Sequence, residues 1–155
     1  MTRVRLSDIV DGMDVQSDQL TSYLHRPTGR VLWVSEEALR AADEGDEDAV
    51  EPEELADARG LLGAGDEYLA LPDRFEIDEY RIMERFAGEI DDPHQRDEAL
   101  ASLRGAKAFR RFKDTVHWLG LSDAWYKFQE RAYIEVARTW CEANNIELDS
   151  PMTDV

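Results

Sequence analysis

The chain has 155 residues, 43% of them hydrophobic and 9% aromatic, so it is long enough to bury a core and too apolar for a disordered protein. Its formal net charge of −17 opposes general binding to DNA, RNA or an anionic membrane, because like charges repel. A single cysteine, Cys141, excludes an intramolecular disulfide and a thiolate metal cluster.

The N-terminal part of the chain predicts a short helix and then a β-hairpin. The helix is indicated by apolar residues at helical spacing, Leu6, Ile9, Val10 and Met13. Ser7 or Asp8 is expected to cap it. Residues 21–25 and 30–34 are rich in strand-forming side chains, and Pro27 and Gly29 between them predict a turn. A two-stranded hairpin is not stable alone, so we expect it to pack on helices.

A strongly acidic stretch follows the hairpin. Ser35, with acids directly after it, predicts the start of a helix that reaches about Ala42. Residues 43–54 are mostly acidic and are interpreted as a solvated loop leading into the next helix. An EF-hand reading fails, because the glycine required at the sixth position is Asp48 here.

The remaining chain predicts a series of helices. A helix over 52–62 places Leu55, Ala58 and Leu62 on one face. Asp78 and Asp92-Pro93 begin two more. Three apolar stripes are expected in the core: Ile77, Tyr80, Met83, Phe86, Ala87 and Ile90; Phe109, Phe112, Val116 and Leu119; Trp125, Phe128, Ala132, Val136 and Trp140.

These elements predict an α+β fold that is mainly α, with the N-terminal helix and β-hairpin packed on a C-terminal helical bundle. Residues 1–148 are expected to form a single domain, and 149–155 a frayed tail. The chain carries no apolar N-terminal run and no membrane-length apolar stretch, which favours a cytoplasmic protein without membrane contact.

The chain's basic residues concentrate in one short segment. Residues 1–80 carry 21 acidic and 7 basic side chains, whereas residues 81–155 carry 14 and 11. The candidate binding residues are five cations within ten positions and two nearby aromatics: Arg104, Lys107, Arg110, Arg111, Lys113, Trp118 and Tyr126. The structural alternative is that these cations pair with the acids of residues 36–57, or with Glu79 and Glu84.

No catalytic motif is present. The sequence lacks a G-x-S-x-G elbow, a P-loop and a G-x-G-x-x-G turn, so we expect a protein without a cofactor and favour a non-enzymatic one. An enzyme with an unrecognised site stays open, and His117, Asp114 and Arg111 are the cluster to test for it. His25, His94 and His117 lack metal-ligand spacing, so no metal site is predicted.

Several runs resemble the bacterial uncharacterised protein family numbered 0158 in the UPF series. The runs are SYLHRPTGRVLWVSEE, FEIDEYRIMERF, GAKAFRRFKDTV, LGLSDAWYKF and ARTWCEANNI. The similarity extends over about residues 6–148. It implies a single-domain bacterial protein, and it carries over no catalytic residue, cofactor or activity.

The predicted function is therefore an interaction or regulatory module. Its basic and aromatic helix surface would bind an acidic protein segment or a small anionic ligand. A nucleic-acid-related role is the alternative, either by local phosphate contact or by DNA mimicry through the acidic N-terminal half. A homo-oligomer is a further candidate, in which the basic helix of one chain meets the acidic half of another.

Overall fold

The computed structural model describes residues 3–148, apart from the side chains of Arg74 and Phe75. The fold is α+β and mainly α, which confirms the predicted class. The chain divides into two compact units: the first comprises 1–76 and 136–155, and the second comprises 77–135. The expected tail at 149–155 lies outside the described residues. The single domain and the packing of the hairpin on the C-terminal helices stay predictions.

The described residues form mostly helices, with a few short strands among them. The helices are α1 (Leu6–Asp14), α2 (Glu36–Glu44), α3 (Pro52–Gly63), α4 (Arg74–Ile77), α5 (Glu79–Gly88), α6 (Pro93–Ser102), α7 (Ala108–Trp118) and α8 (Ser122–Ala143). The strands are β1 (Arg3–Val4), β2 (Leu20–His25), β3 (Arg30–Ser35), β4 (Tyr68–Ala70) and β5 (Glu147–Leu148). Helix α8 begins in the second unit, and its residues from Val136 belong to the first.

The predicted hairpin supplies two strands of the first unit's three-stranded sheet. Strands β2 and β3 pair antiparallel with His25 opposite Arg30, and the turn between them contains Gly29 at φ 73°. That positive φ suits glycine, which has no Cβ to clash. Strand β4 adds antiparallel to the other side of β2, so the strand order is β3-β2-β4. Strands β1 and β5 form a separate parallel pair.

The start of α2 is tied to α3 by one serine. The Ser35 hydroxyl accepts a hydrogen bond from the Ala38 amide at 3.0 Å, as expected of a helix cap. The same hydroxyl donates to a carboxylate oxygen of Glu54. Helix α2 ends at Gly45, whose left-handed φ of 74° closes the helix before the acidic loop. Ser35 therefore fixes both the entry into α2 and the position of α3.

Helix α1 approaches the sheet through a glycine. A Cβ on Gly12 would lie 2.7 Å from a Leu71 methyl and 2.9 Å from a Val31 methyl. The buried Ser22 hydroxyl also donates to the Gly12 carbonyl at 2.6 Å. A larger side chain at this position would require the Leu71 and Val31 side chains, or α1 itself, to shift. The cap expected at Ser7 or Asp8 is wrong, because α1 begins at Leu6 after an extended Arg5.

The second unit is built around an aromatic cluster. Phe112 and Trp125 meet edge to face at a centroid distance of 5.0 Å, and Phe86 packs against both at 6.3 and 5.5 Å. Phe112 and Trp125 are buried, and Phe86 is 7% exposed. Such pairs add to the burial of apolar area, so α5, α7 and α8 are held together mainly by these three rings.

Two residues expected in the core, Phe109 and Tyr80, are exposed instead, by 40% and 39% respectively. Leu62, which was expected on the same helix face as Leu55 and Ala58, is 53% exposed. The Tyr80 hydroxyl donates to the Leu103 carbonyl at 2.9 Å, while Ile82 occupies the buried side of α5. The predicted apolar stripes are wider than the helix faces that neighbouring elements cover. Residues at the edge of such a stripe are therefore exposed to solvent.

Candidate functional site

The basic segment lies at the connection from α6 to α7 and along the first two turns of α7. Gly105 and Lys107 both take left-handed backbone conformations, with φ of 78° and 60°. Lys107 directly precedes α7, and the first turn of the helix contains no acidic residue and no side-chain cap. The positive end of the helix dipole therefore coincides with a group of cations, an arrangement that disfavours folding slightly.

Four of the predicted cations are exposed and have no carboxylate partner in their own unit. We call them the basic surface: Arg104, Lys107, Arg110 and Lys113. Within the described residues of 77–135, the structure has no ion pair that involves them. The structural alternative with Glu79 is not realised, since Glu79 accepts hydrogen bonds from Gln129 and Tyr133.

Arg110 and Arg111 point to different flanks of α7. Successive residues of a helix are about 100° apart, so Arg110 shares a flank with Lys113 and His117. Arg111 faces α6, where its Nε donates to the Ser102 carbonyl at 3.2 Å. The two arginines, both named as candidate binding residues, therefore lie on different flanks of α7.

Arg111 and Trp118 do lie together, in an open depression of about 590 Å³ between α6 and α7. Trp118 is 77% exposed, so its indole is accessible for stacking. The depression also contains the carboxylates of Glu98 and Asp114, which reduce its preference for an anion. His117 does not line it, so the trio proposed for an enzyme is not assembled at this place.

Tyr126 stands apart from the depression. It lies on α8 and is 60% exposed. It lines neither the depression beside Trp118 nor the cleft that Phe128 lines on α8. Phe109 was expected in the core, but its ring is exposed one turn before Lys113, and it is the exposed aromatic nearest in sequence to the basic surface.

The remaining candidate groups have structural partners. His25 bridges Thr28 at 2.8 Å and Glu67 at 3.0 Å, and its ring packs on Tyr68. Within the described residues, no group of three His, Cys, Asp or Glu side chains could hold a metal ion. Burial raises the pKa of the Cys141 thiol to about 11, so it is protonated and unreactive at neutral pH.

One cavity of the second unit was not anticipated from the sequence. A cleft of about 600 Å³ lies among the end of α5, the start of α6 and the first half of α8. Its α8 side is formed by Leu121, just before the helix, and by Ala124, Lys127, Phe128 and Arg131 at helical spacing. Phe128 was predicted as part of the core stripe of α8, and no cavity beside it was expected.

A small antiparallel sheet with short helices, followed by a helical segment that bears exposed cations, defines a mainly helical α+β class of protein. Comparison with known proteins identifies the family within that class. The chain belongs to the family described as Uncharacterised protein family (UPF0158), whose model matches residues 2–151. The resemblance noted in the sequence is thereby confirmed, and the family is one of unknown function.

A curated relative supports the same assignment. The chain is 29% identical over 127 residues to the UPF0158 protein PA5073 of Pseudomonas aeruginosa, which covers 81% of this chain and 73% of that protein. No solved structure matches the chain. Among the described residues, no helix has both the length and the apolar character needed to cross a bilayer.

Proposed function

We propose that the protein is a non-enzymatic interaction module whose basic surface binds an acidic segment of another protein. The observation that carries the proposal is the set of four exposed cations around the start of α7, which have no carboxylate partner within the described residues of 77–135. A partner's carboxylates would neutralise these cations and would also interact favourably with the positive end of the α7 helix dipole.

The exposed aromatics strengthen this choice of partner. Phe109 is 40% exposed and one turn from Lys113, and Trp118 is 77% exposed at the end of the same helix. Aromatic and arginine side chains dominate the energetics of protein interfaces, whereas a small inorganic anion would leave these rings unused. An acidic segment that also carries apolar side chains uses both features.

The net charge of −17 limits the partner to a short segment. At physiological salt the Debye length is about 8 Å, so the basic surface acts on groups in direct contact while the acids further away are screened. A long polyanion such as DNA or RNA would extend beyond the basic surface towards the protein's other charges. A local acidic segment avoids that repulsion.

The test compares a charge change on the basic surface with the same charge change elsewhere. Fluorescence anisotropy with a fluorescein-labelled octaglutamate peptide would measure binding by the wild type and by Arg110→Ala/Lys113→Ala. Loss of two exposed charge contacts, each worth up to about 1 kcal/mol, predicts roughly tenfold weaker binding. Both residues are exposed on one flank of α7, so the melting temperature should not change.

The matched control is Arg5→Ala/Arg81→Ala, which removes the same charge from exposed positions outside the basic surface. It should bind the peptide like the wild type. Equal affinities for the two double variants would contradict the proposal. A single-stranded oligonucleotide serves as the competing ligand: if it binds more tightly than octaglutamate, with a steep loss of affinity as salt rises, the nucleic-acid alternative is correct instead.

A further inference from the structure

The cleft of about 600 Å³ in the second unit has the size and the apolar floor of a small-ligand site. Its floor is formed by Phe86 of α5, Ile90 just after α5, Leu121 just before α8, and Phe128 of α8. Small-molecule sites are mostly clefts of about 300–1,000 Å³ with an apolar lining and a few polar groups that set orientation. This cleft meets both criteria and is separate from the basic surface.

One wall of the cleft is basic. Lys127 and Arg131 lie one turn apart on α8, and both side chains are exposed. Within the described residues of 77–135, neither makes a hydrogen bond or an ion pair. Two like charges at this spacing repel each other slightly, so their proximity does not stabilise the helix. A carboxylate placed between them would interact with both.

Acidic side chains line the cleft on the side formed by the end of α5 and the segment after it. Glu89 and Asp91 lie at the end of α5 and after it, with exposed side chains and no ion-pair partner in the described residues of 77–135. Asp92 also lines the cleft, but its carboxylate caps α6 by accepting from the His94 amide at 2.8 Å. Glu89 and Asp91 are therefore the groups available to an ammonium ion.

We propose that this cleft binds a short apolar peptide in its zwitterionic form. The peptide's carboxylate would meet Lys127 and Arg131, its ammonium would meet Asp91 and Glu89, and its apolar side chains would cover the floor. A simple anion would face two unpaired carboxylates across the cleft, and a neutral apolar ligand would leave both charged walls unpaired. Only a ligand with opposite charges at its two ends and an apolar middle complements all three surfaces.

Isothermal titration calorimetry with four probes tests the proposal on the full chain. The probes are trileucine with free termini, trileucine with an acetylated N-terminus, trileucine with an amidated C-terminus, and free leucine. Trileucine should bind, and each capped form should bind about tenfold more weakly, because one charged wall loses its partner. Free leucine should bind more weakly still, since it covers less of the floor and its charges are adjacent.

Two variants assign each end of the peptide. Arg131→Gln should weaken binding of free trileucine but not of the C-terminally amidated form. Asp91→Asn should weaken binding of free trileucine but not of the N-acetylated form. Arg81→Gln and Asp97→Asn are the matched controls, because both replace exposed charges of the same unit outside the cleft.

Three results would overturn the inference: no heat of binding with any probe, equal affinity of free trileucine and the two singly capped forms, or equal effects of the cleft variants and their controls. Binding of octaglutamate to the basic surface is measured on other residues, so either proposal can fail without the other.

Discussion

The two units of the protein use their charged side chains differently. In the first unit some arginines form ion pairs with acids: Arg30 pairs with Asp57 at 2.9 Å, and Arg59 with Glu47 at 3.1 Å. Arg3 likewise pairs with Glu147 at 3.0 Å. In the second unit, the cations of the basic surface have no such partner among its described residues. Arg3, Arg30 and Arg59 are therefore held in structural ion pairs, whereas the four cations of the basic surface are exposed to solvent.

The difference separates charges that stabilise the fold from charges that are available for binding. The Arg30–Asp57 contact is bidentate, with a second hydrogen bond at 3.1 Å, and it raises the pKa of Arg30 above its ordinary value. It joins β3 to α3, so its role lies within the fold. Within its own unit, the basic surface forms no ion pair that connects two elements.

The largest effect is expected at the buried side of α7. Phe112→Ala should lower the free energy of unfolding by about 3–5 kcal/mol, because it removes a fully buried ring from the aromatic cluster. Phe109→Ala, on the exposed side, should lower it by less than about 1 kcal/mol. Urea denaturation measures both. Similar losses would mean that Phe109 belongs to the core and would weaken the case for a free surface on α7.

The second largest effect is expected at the joint of the first unit. Ser35→Ala removes the cap of α2 and the hydrogen bond to Glu54, which predicts a loss of about 1–2 kcal/mol. Ser17→Ala, in the exposed turn before β2, is the comparison and should cost less than about 0.5 kcal/mol. A melting temperature of Ser35→Ala equal to that of Ser17→Ala would show that the first unit does not depend on this link.

The Arg30–Asp57 pair should contribute a smaller amount. Asp57→Asn keeps the shape of the side chain and removes its charge, and a loss of about 0.5–1 kcal/mol is expected, since Arg30 is 60% exposed and screened by solvent. Repeating the denaturation in about 1 M salt should reduce the difference from wild type. A loss that is unchanged by salt would assign the effect to packing rather than to charge.

The smallest effect, of opposite sign, is expected on the basic surface. Arg110→Glu places an acid in the first turn of α7, where the helix dipole favours it, and should raise stability by about 0.3–1 kcal/mol. The same variant should lose binding of octaglutamate. Glu36→Arg in the first turn of α2 is the reverse change and should lower stability by a similar amount. A destabilised Arg110→Glu protein would indicate that Arg110 holds a structural contact.

The sequence correctly predicted turns and helix caps, because each depends on the backbone preference or side-chain hydrogen bond of one residue. Gly29 marks the hairpin turn, Ser35 caps α2, and Asp92 caps α6 before Pro93. Gly105, at a positive φ, lies in the connection before α7, where an interruption of the helix was predicted. These features depend on a few neighbouring residues, so they can be recognised without knowing what packs against them.

Burial was predicted less well, because it depends on distant elements. Tyr80 and Phe109 fit the helical period of their stripes, yet both are exposed because no element covers the outer edge of either stripe. The spacing of apolar residues along α7 likewise does not predict that Trp118 is exposed. Periodicity gives the centre of a buried face, and the neighbouring helices decide its width.

The sequence alone determined the fold class, the hairpin, most helix boundaries and the segment in which the basic residues concentrate, since each follows from contacts between residues close in the chain. Only the tertiary structure decided that Arg111 donates to the Ser102 carbonyl, that Glu79 is hydrogen-bonded to Gln129 and Tyr133, and that residues of α5, α6 and α8 line one cleft. Those features join α5, α6, α7 and α8, and a contact between segments far apart in the chain is set by packing rather than by local spacing.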